Sequence, residues 1–180
     1  MSKSLYAIAL LAATSLAACS DSDNTAPAPL PSIVELAVET PALSVLVEAI
    51  QESDAKCGTN FAATLSGPGD FTVFAPTNDA FTAAIGALGA ATVLSCEVLP
   101  TVLAFHVTQG RLDSKAVLAR SSIQMLSGET AQIVGSTIAG APLNLGLLDV
   151  AASNGIVHVV DAVMLPPSIV SALGGTSPAR

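Results

Sequence analysis

The chain has 180 residues, of which 51% are hydrophobic and 11% are charged, and its formal net charge is −8. That length suits one domain plus processing segments, and so high an apolar content excludes an intrinsically disordered protein. No apolar run after the first twenty residues approaches the length of a membrane-spanning helix, which excludes a polytopic membrane protein, and the acidic balance argues against nucleic acid as a partner.

The N-terminus has the features of an export signal. Lys3 supplies a positive charge, residues 5–13 form a short apolar stretch, and small residues lead up to Cys19. The Leu-Ala-Ala-Cys sequence that ends at Cys19 resembles the lipobox of bacterial lipoproteins, in which the signal peptide is removed and the cysteine is acylated. We therefore interpret residues 1–18 as a lipoprotein signal peptide and expect Cys19 to carry the acyl chains, palmitate among them, that anchor the protein. An ordinary secretory signal that contains Cys19 is the alternative.

Residues 19–31 combine the expected lipidation site with a polar, proline-rich segment that has no apolar periodicity. Such a segment is typical of a tether, and the part after the cysteine would reach at most roughly 40 Å. Removal of residues 1–18 leaves five basic against fourteen acidic residues, a net charge of 5 − 14 = −9. We expect the mature protein in the cell envelope, anchored to a membrane and facing the periplasm or the outside. Ser20 after the cysteine favours an outer membrane where the source has one.

Two short helices are predicted over residues 32–51. Ser32 and Glu35 have the spacing of a capping box, in which each side chain accepts a hydrogen bond from the backbone of the other. Thr40 then suits an N-cap before Pro41 at a first helical position. The apolar residues at 43, 46, 47 and 50 follow at helical spacing and form one face.

A strand and a further helix are predicted next. Residues 70–76 are rich in aromatic and β-branched side chains, and Pro76 ends the run, which is typical of a strand. Thr77 suits the N-cap of the following helix, with Asn78 and Asp79 in a first turn where negative charge is favourable. The apolar positions expected on the buried face of this helix are Phe81, Ala84, Ile85 and Leu88.

The second half of the chain changes character. Residues 97–105 predict one more helix, but from residue 121 onward short β-prone pieces alternate with Gly, Ser and Asn turn signals. Helices followed by strands indicate an α+β fold class. We assign the domain to residues 32–167 and interpret residues 168–180, which contain Gly, Ser and Pro, as a frayed C-terminal tail.

Two cysteines, Cys57 and Cys96, follow the lipidation site. In an oxidising compartment an even pair forms a disulfide more often than a metal site or a nucleophile, so we expect a bridge between them. Closing a loop of this length would stabilise the fold by roughly 4 kcal/mol on the chain-entropy estimate.

Two long segments carry a family resemblance. Residues 71–81 (FTVFAPTNDAF) closely resemble the first signature block of fasciclin-like domains, and residues 154–167 (NGIVHVVDAVMLPP) resemble the second. Between them, Phe105 and His106 stand where that family usually has Tyr-His. The resemblance covers about residues 32–167 and implies a β-sandwich or wedge of about seven strands flanked by several short helices. The family-motif residues, which we interpret as structural, are Phe74, Pro76, Thr77, Asn78, Phe81, His106, His158 and Asp161.

The second block predicts a strand that is buried on both faces. Alternation over residues 156–165 puts Asp161 on one face and His158 on the other, and both faces are otherwise apolar. A strand of this kind is typical of the centre of a sheet. Because the alternation keeps His158 and Asp161 from pairing directly, we hypothesise that a buried Asp161 accepts hydrogen bonds from the backbone or from Thr77 or Asn78. An unpaired buried carboxylate would be costly.

No catalytic, cofactor or metal site is predicted. A metal or catalytic interpretation would combine the two histidines, His106 and His158, with Asp113 or Asp161, yet they have no metal-ligand spacing and no HExxH pattern. The Gly-x-Ser-x-Gly nucleophile elbow is absent, and residues 66–69 (SGPG) lack the lysine of a phosphate loop. We therefore expect both histidines to pack in or beside the core and the protein not to be an enzyme.

The resemblance implies adhesion to, or interaction with, cell-surface and matrix components. Integrin binding is not carried over, because Phe105 lacks the tyrosine hydroxyl of the Tyr-His region and residues 110–113 (GRLD) are not Arg-Gly-Asp. We expect a lipid-anchored module that binds a surface protein or polysaccharide, with no cofactor and no nucleic acid. The alternatives are an extracytoplasmic small-ligand carrier or enzyme with an undetected pocket, and a scaffolding role in the envelope.

Overall fold

The computed structural model describes residues 29–172. The predicted signal peptide, the lipidation site Cys19 and the tether up to residue 28 lie outside the described residues, as does the tail after Ala172. What the sequence predicts for those segments stays a prediction.

Helices dominate the first half of the described chain and strands the second half. The helical elements are α1 (Ile33–Glu39), a 3-10 turn (Pro41–Leu43), α2 (Ser44–Cys57), α3 (Phe61–Ser66), α4 (Asn78–Leu88), α5 (Ala90–Val93), α6 (Leu99–Ala104), α7 (Ser114–Leu118) and α8 (Pro167–Ala172). The strands are β1 (Phe71–Pro76), β2 (Val107–Gln109), β3 (Ser122–Gln124), β4 (Thr130–Val134), β5 (Thr137–Ile138), β6 (Ala141–Pro142), β7 (Val150–Ala152) and β8 (Gly155–Val160). The predicted α+β class is confirmed, with eight strands in residues 29–172 where about seven were expected.

The strands form two four-stranded sheets. The first has the order β2-β1-β8-β7, and the second has the order β3-β4-β5-β6. In the first sheet β1 and β8 run parallel, in register from Phe71 opposite Gly155 to Pro76 opposite Val160, and β2 and β7 flank them antiparallel. β8 therefore lies inside the sheet, as its two apolar faces predict. A single bridge between Leu143 and Val160 links the end of β6 to β8.

β8 ends at Val160 and does not continue to residue 165 as predicted. Its partner β1 ends at Pro76, and Thr77 makes the last bond of this ladder by donating its backbone N–H to the carbonyl of Val160. Beyond that point the described chain offers β8 no strand to pair with, and Asp161 donates its backbone N–H to Pro142 instead. The strand alternation expected for residues 161–165 is therefore wrong.

Two hydrophobic cores lie on opposite faces of the first sheet. Alternate residues of β1 point into the two cores. Val73 and Ala75 belong to the core beneath the helices, and Phe74 belongs to the core between the sheets. The first core takes its apolar side chains mainly from α1, α2, α6 and the first sheet. The largest fully buried side chains of the second core are Phe74, Phe105, Ile138 and Met164.

Local capping signals predict some helix starts and fail for others. The Ser32–Glu35 capping box forms, and the Thr77 hydroxyl accepts from Ala80 N–H at the start of α4, both as expected. Thr40 occupies the expected N-cap position, directly before Pro41 at the start of the 3-10 turn. Its hydroxyl makes no capping bond, because it donates back to the carbonyl of Leu36 at 2.7 Å.

Helix α3, which the sequence patterns do not predict, is capped from a distance. Asp54 in α2 accepts hydrogen bonds from the N–H groups of Phe61 and Ala62 at 2.8 and 2.9 Å, one on each carboxylate oxygen. These two N–H groups belong to the first turn of α3 and have no partner within the helix. A cap that lies in the preceding helix leaves no local signal in the sequence.

Two further links join parts of the described chain that are distant in sequence. Cys57, the last residue of α2, forms a disulfide with Cys96, in agreement with the expected pairing. The segment expected to be a frayed tail begins with the short helix α8. Its Ser168 donates both its hydroxyl and its backbone N–H to the carboxylate of Glu129, at 2.6 and 3.1 Å, so α8 is attached to the turn between β3 and β4.

Candidate functional site

His106, the histidine of the expected Tyr-His position, lies inside the domain and is only 2% exposed. Its Nδ1 donates to the carbonyl of Val102 at 2.7 Å, and its Nε2 accepts from the N–H of Met164 at 2.9 Å. This pattern requires the neutral ring with its proton on Nδ1. Burial lowers the pKa of His106 to about 4, which keeps the ring neutral at physiological pH. The histidine therefore fastens the segment after β8 to α6.

His158 makes an equivalent link on the inter-sheet side of β8. The ring is fully buried and stacks on Phe74, with the two ring centroids 5.6 Å apart. Its Nε2 donates to the carbonyl of Leu112 at 2.8 Å, and its Nδ1 accepts from the backbone N–H of Asp149 at 3.2 Å. Both nitrogens are therefore occupied by backbone groups, and the ring joins β8 to the segments before α7 and β7.

Asn78, in the first signature block, caps a helix that is remote in sequence. Its Oδ1 accepts from the N–H of Val45 at 3.0 Å, and its Nδ2 donates to Pro41 and to the Ser44 hydroxyl, both at 3.0 Å. Helix α2 has no side-chain cap of its own. Asn78 thus accepts a hydrogen bond from an N–H group in the first turn of α2 that has no partner within the helix, and it links this turn to the start of α4. Its neighbours Phe74 and Phe81 are core residues with 0% and 1% exposure.

The hypothesis of a buried Asp161 is wrong. Asp161 is exposed, and its carboxylate accepts one hydrogen bond, from the Asn144 side chain at 3.0 Å. Thr77 and Asn78 bond elsewhere, to Ala80 and to the start of α2. The physical reason is that β8 ends one residue earlier, so the strand alternation that would bury Asp161 no longer applies.

A serine, an aspartate and a histidine meet between α7 and β8, but they do not form a catalytic triad. The Asp149 carboxylate accepts from both the hydroxyl and the backbone N–H of Ser114, and the serine hydroxyl lowers the pKa of Asp149. His158 Nδ1 lies 4.0 Å from Asp149 Oδ1, and its other nitrogen bonds to Leu112. A triad needs the histidine to take the serine proton, whereas here the aspartate holds it. Asp149 instead caps the start of α7.

The metal interpretation that joined the histidines to Asp113 finds no support in the part of the chain that the structure describes. Asp113 is the N-cap of α7, and its Oδ1 accepts from Ala116 N–H at 2.7 Å. Within residues 29–172 no three histidine, cysteine or acidic side chains are grouped as metal ligands.

Sequence reasoning missed the role of Asn154, which opens the second signature block. Its side chain is 7% exposed and accepts from the N–H of Ile33 at 3.0 Å, the first residue of α1. It donates to the carbonyls of Leu65 and Gly67 at 2.6 and 3.0 Å, where α3 ends. The Asn-Gly pair between two β-prone runs is a hairpin signal, but it does not reveal these long-range bonds.

The β7–β8 turn is fixed further by Arg111 and Gly155. The Arg111 guanidinium donates to the carbonyls of Ala152 and Gly155 at 2.8 and 3.0 Å, and it lies 3.6 Å from the Asp70 carboxylate. A Cβ atom on Gly155 would lie 2.2 Å from the carbonyl oxygen of Phe71, so only glycine fits there.

Two concave features stand out in residues 29–172, and neither brings reactive groups together. An apolar cavity of about 60 Å³ lies between α1, α2, α3 and the first sheet. His106 borders it, but both ring nitrogens are already bonded. A wider, more polar groove of about 480 Å³ follows β2 and β3 and is lined by Thr108, Gln109, Leu112, Arg120, Ile123, Gln124, Met125, Leu126 and Gly128.

Comparison with known proteins gives consistent matches. Residues 41–166 match the family model of the Fasciclin domain. Protein sll1483 of Synechocystis is 36% identical over 151 residues, which cover 76% of this chain and 74% of the relative. The cell surface glycolipoprotein MPB83 of Mycobacterium bovis is 30% identical over 142 residues, covering 76% of this chain and 61% of that protein.

A solved structure shows the same fold. The FAS1 domain pair from the insect cell adhesion molecule Fasciclin I matches 78% of this chain with a TM-score of 0.60 and 16% identity. This chain spans 52% of that pair, about half of its length. Across residues 29–172, none of the helices has the length and apolar character that a bilayer crossing requires.

Proposed function

The chain belongs to the fasciclin domain family, and on that premise we propose that it is a lipid-anchored interaction module of the cell envelope. It binds a surface protein or polysaccharide of the envelope, the matrix or a neighbouring cell, and it is not an enzyme. Cys19 carries the anchor, and residues 20–31 hold the folded domain away from the bilayer.

One observation carries this proposal: three polar residues of the family motifs bond to other segments of the domain. His106, His158 and Asn78 direct their side-chain nitrogen and oxygen atoms to backbone or side-chain partners of other segments. Among the described residues, every buried side-chain nitrogen or oxygen has a hydrogen-bond partner. Groups so fully engaged stabilise a rigid scaffold, and both ring nitrogens of His106 and of His158 are already bonded. This supports recognition through the outer surface over catalysis.

The relatives support the same conclusion by analogy. One is named a cell surface glycolipoprotein, and the structural match is named a cell adhesion molecule. Those names describe the other proteins, and fold alone does not fix function. Together with the lipobox-like sequence before Cys19, they favour a membrane-anchored surface role.

Complementation in the source organism tests the proposal. A strain that lacks the gene should attach less well to surfaces or to neighbouring cells, and the wild-type protein should restore attachment. The Cys19→Ala variant should fold and be exported but appear in the medium or the soluble envelope fraction, because it has no acyl anchor. Membrane association of Cys19→Ala after a salt wash would contradict the anchor. Attachment that is the same with and without the gene would contradict the adhesion role.

A further inference from the structure

The groove of about 480 Å³ lies where the two sheets approach each other. β2 is an edge strand of the first sheet and β3 is an edge strand of the second. They touch through two hydrogen bonds: Leu126 N–H donates to the carbonyl of Val107, and the Thr108 hydroxyl donates to the carbonyl of Gln124, both at 2.7 Å. Residues of the same two strands line the groove, and Gln109 and Gln124, at the ends of β2 and β3, are their exposed members.

Part of the backbone along these edges is free. On either side of β2, the carbonyl of His106 and the N–H of Gly110 are bonded to the chain of β1. Residues that bond to a neighbouring antiparallel strand alternate with residues that do not, so Gln109 directs its N–H and C=O away from β1. β3 bonds to β4 through Ser121 and Met125, and by the same alternation Gln124 faces away from β4. Within residues 29–172, Gln109 has no further backbone partner, and only the carbonyl of Gln124 is taken. Unpaired edge groups of this kind pair readily with another extended chain.

The charge of the groove narrows the choice of ligand. Lys56 pairs with Glu52, Arg111 bonds to carbonyls of the β7–β8 turn, and Lys115 lies near Asp149. The remaining basic side chain of residues 29–172 is Arg120, which is exposed and lines the groove beside the amide side chains of Gln109 and Gln124. Arg120 has no ion pair within these residues. A guanidinium in this position suits a carboxylate, which it can bind with two parallel hydrogen bonds.

Part of the groove lining is apolar. Leu126 is 36% exposed and Leu112 is half-buried, whereas Ile123 and Met125 are each only 3% exposed. Such a surface suits one or two aliphatic side chains of a bound segment. No aromatic residue of the described chain lines this groove, so a sugar ring would find no flat apolar surface on which to stack.

We propose that this groove binds an extended peptide segment of a partner protein, and that the segment carries an acidic side chain whose carboxylate binds Arg120. The peptide backbone bonds to the free edge groups of Gln109 and Gln124, and its aliphatic side chains contact Leu112 and Leu126. The inference rests on the proposed function and narrows the partner class to a protein.

The test uses the mature chain, residues 19–180, carrying Cys19→Ala, so that neither the signal peptide nor acyl chains contribute to binding. Phage-displayed random octapeptides are selected on this protein, and the enriched peptides are synthesised and titrated. We expect enriched peptides to contain Asp or Glu among aliphatic residues and to shift the backbone amide NMR signals of Gln109 and Gln124. Arg120→Glu should weaken their binding by about tenfold or more.

Lys115→Glu is the matched control, because it makes the same charge change on α7 outside the groove. It should leave peptide affinity unchanged, and both variants should remain folded with cooperative thermal unfolding, since both side chains are exposed. The proposal is overturned if no peptide is enriched, or if enriched peptides bind Arg120→Glu as well as the wild type. Dimerisation that Arg120→Glu abolishes, or isolated envelope polysaccharide that competes at the same signals, would assign the groove to a different ligand and would also overturn it.

Binding to intact cells separates this proposal from the broader one. If the protein binds cells and Arg120→Glu binds them equally, the peptide groove is wrong and the surface role remains. If the protein binds peptides as described but never binds cells, the groove is right and the adhesion role is wrong.

Discussion

Replacing Asn154 by alanine should destabilise the domain strongly. The side chain is 7% exposed and connects three segments that are far apart in sequence. It accepts from the N–H of Ile33 and donates to the carbonyls of Leu65 and Gly67, at 3.0, 2.6 and 3.0 Å. Alanine would remove all three bonds and leave one backbone donor and two acceptors without these partners at a buried site.

The expected loss follows from these bonds. Each hydrogen bond contributes about 1 kcal/mol net, so the free energy of unfolding should fall by about 3 kcal/mol, and by up to about 5 kcal/mol if water cannot reach the freed groups. In a domain of this size, a loss of about 3 kcal/mol corresponds to a fall of about 10 °C in the thermal midpoint.

Urea denaturation followed by circular dichroism, with the disulfide intact, measures the effect. Asn144→Ala is the matched control, because its side chain makes two bonds at the surface, to Asp161 at 3.0 Å and from Gly146 N–H at 3.1 Å. The control should lose about 1 kcal/mol or less. A loss below about 1 kcal/mol for Asn154→Ala, or one no larger than the control, would refute the role assigned to Asn154.

Three other changes have defined outcomes. Lowering the pH from about 6.5 to 5 should reduce the free energy of unfolding by up to about 1.4 kcal/mol per unit, because the folded chain holds the pKa of His106 at about 4 while the unfolded histidine takes up a proton near pH 6.5. Urea midpoints that stay constant over this range would contradict this. Reducing the disulfide of Cys57 should lower stability by roughly 4 kcal/mol; equal urea midpoints with and without dithiothreitol would contradict the bridge. Gly155→Ala should lower the free energy of unfolding by at least about 2 kcal/mol, since the added Cβ would collide with the carbonyl of Phe71. In a thermal melt, Gly86→Ala should be neutral or slightly stabilising, because a Cβ there would have no atom within 4 Å. Equal midpoints for the two glycine variants would contradict the close approach.

Elements that depend on neighbouring residues could be predicted from the sequence. The Ser32–Glu35 box and the Thr77 cap involve residues three positions apart, and both form. β1 follows from the composition of its own six residues. The central position of β8 follows from its two apolar faces, because a strand needs neighbours on both sides to bury both.

Features that depend on remote partners could not be predicted in the same way. Helix α7 receives a second cap from Asp149, and α2 receives its cap from Asn78, across 35 and 33 residues of chain. The predicted burial of Asp161 is wrong for a related reason. β8 ends where its partner β1 ends, and nothing within residues 156–165 marks that point. The groove between β2 and β3 joins the edges of two sheets, so its lining becomes apparent only once both sheets are in place.

A binding isotherm on intact cells tests most directly whether the folded domain binds a surface component. The labelled mature chain, residues 19–180 carrying Cys19→Ala, is titrated onto cells of the source organism, with excess unlabelled protein and with heat-unfolded protein as controls. Saturable binding that the unlabelled protein displaces and that unfolding abolishes is the predicted result. A signal that rises linearly up to high micromolar concentration, or that is the same for folded and unfolded protein, would contradict the proposed interaction module.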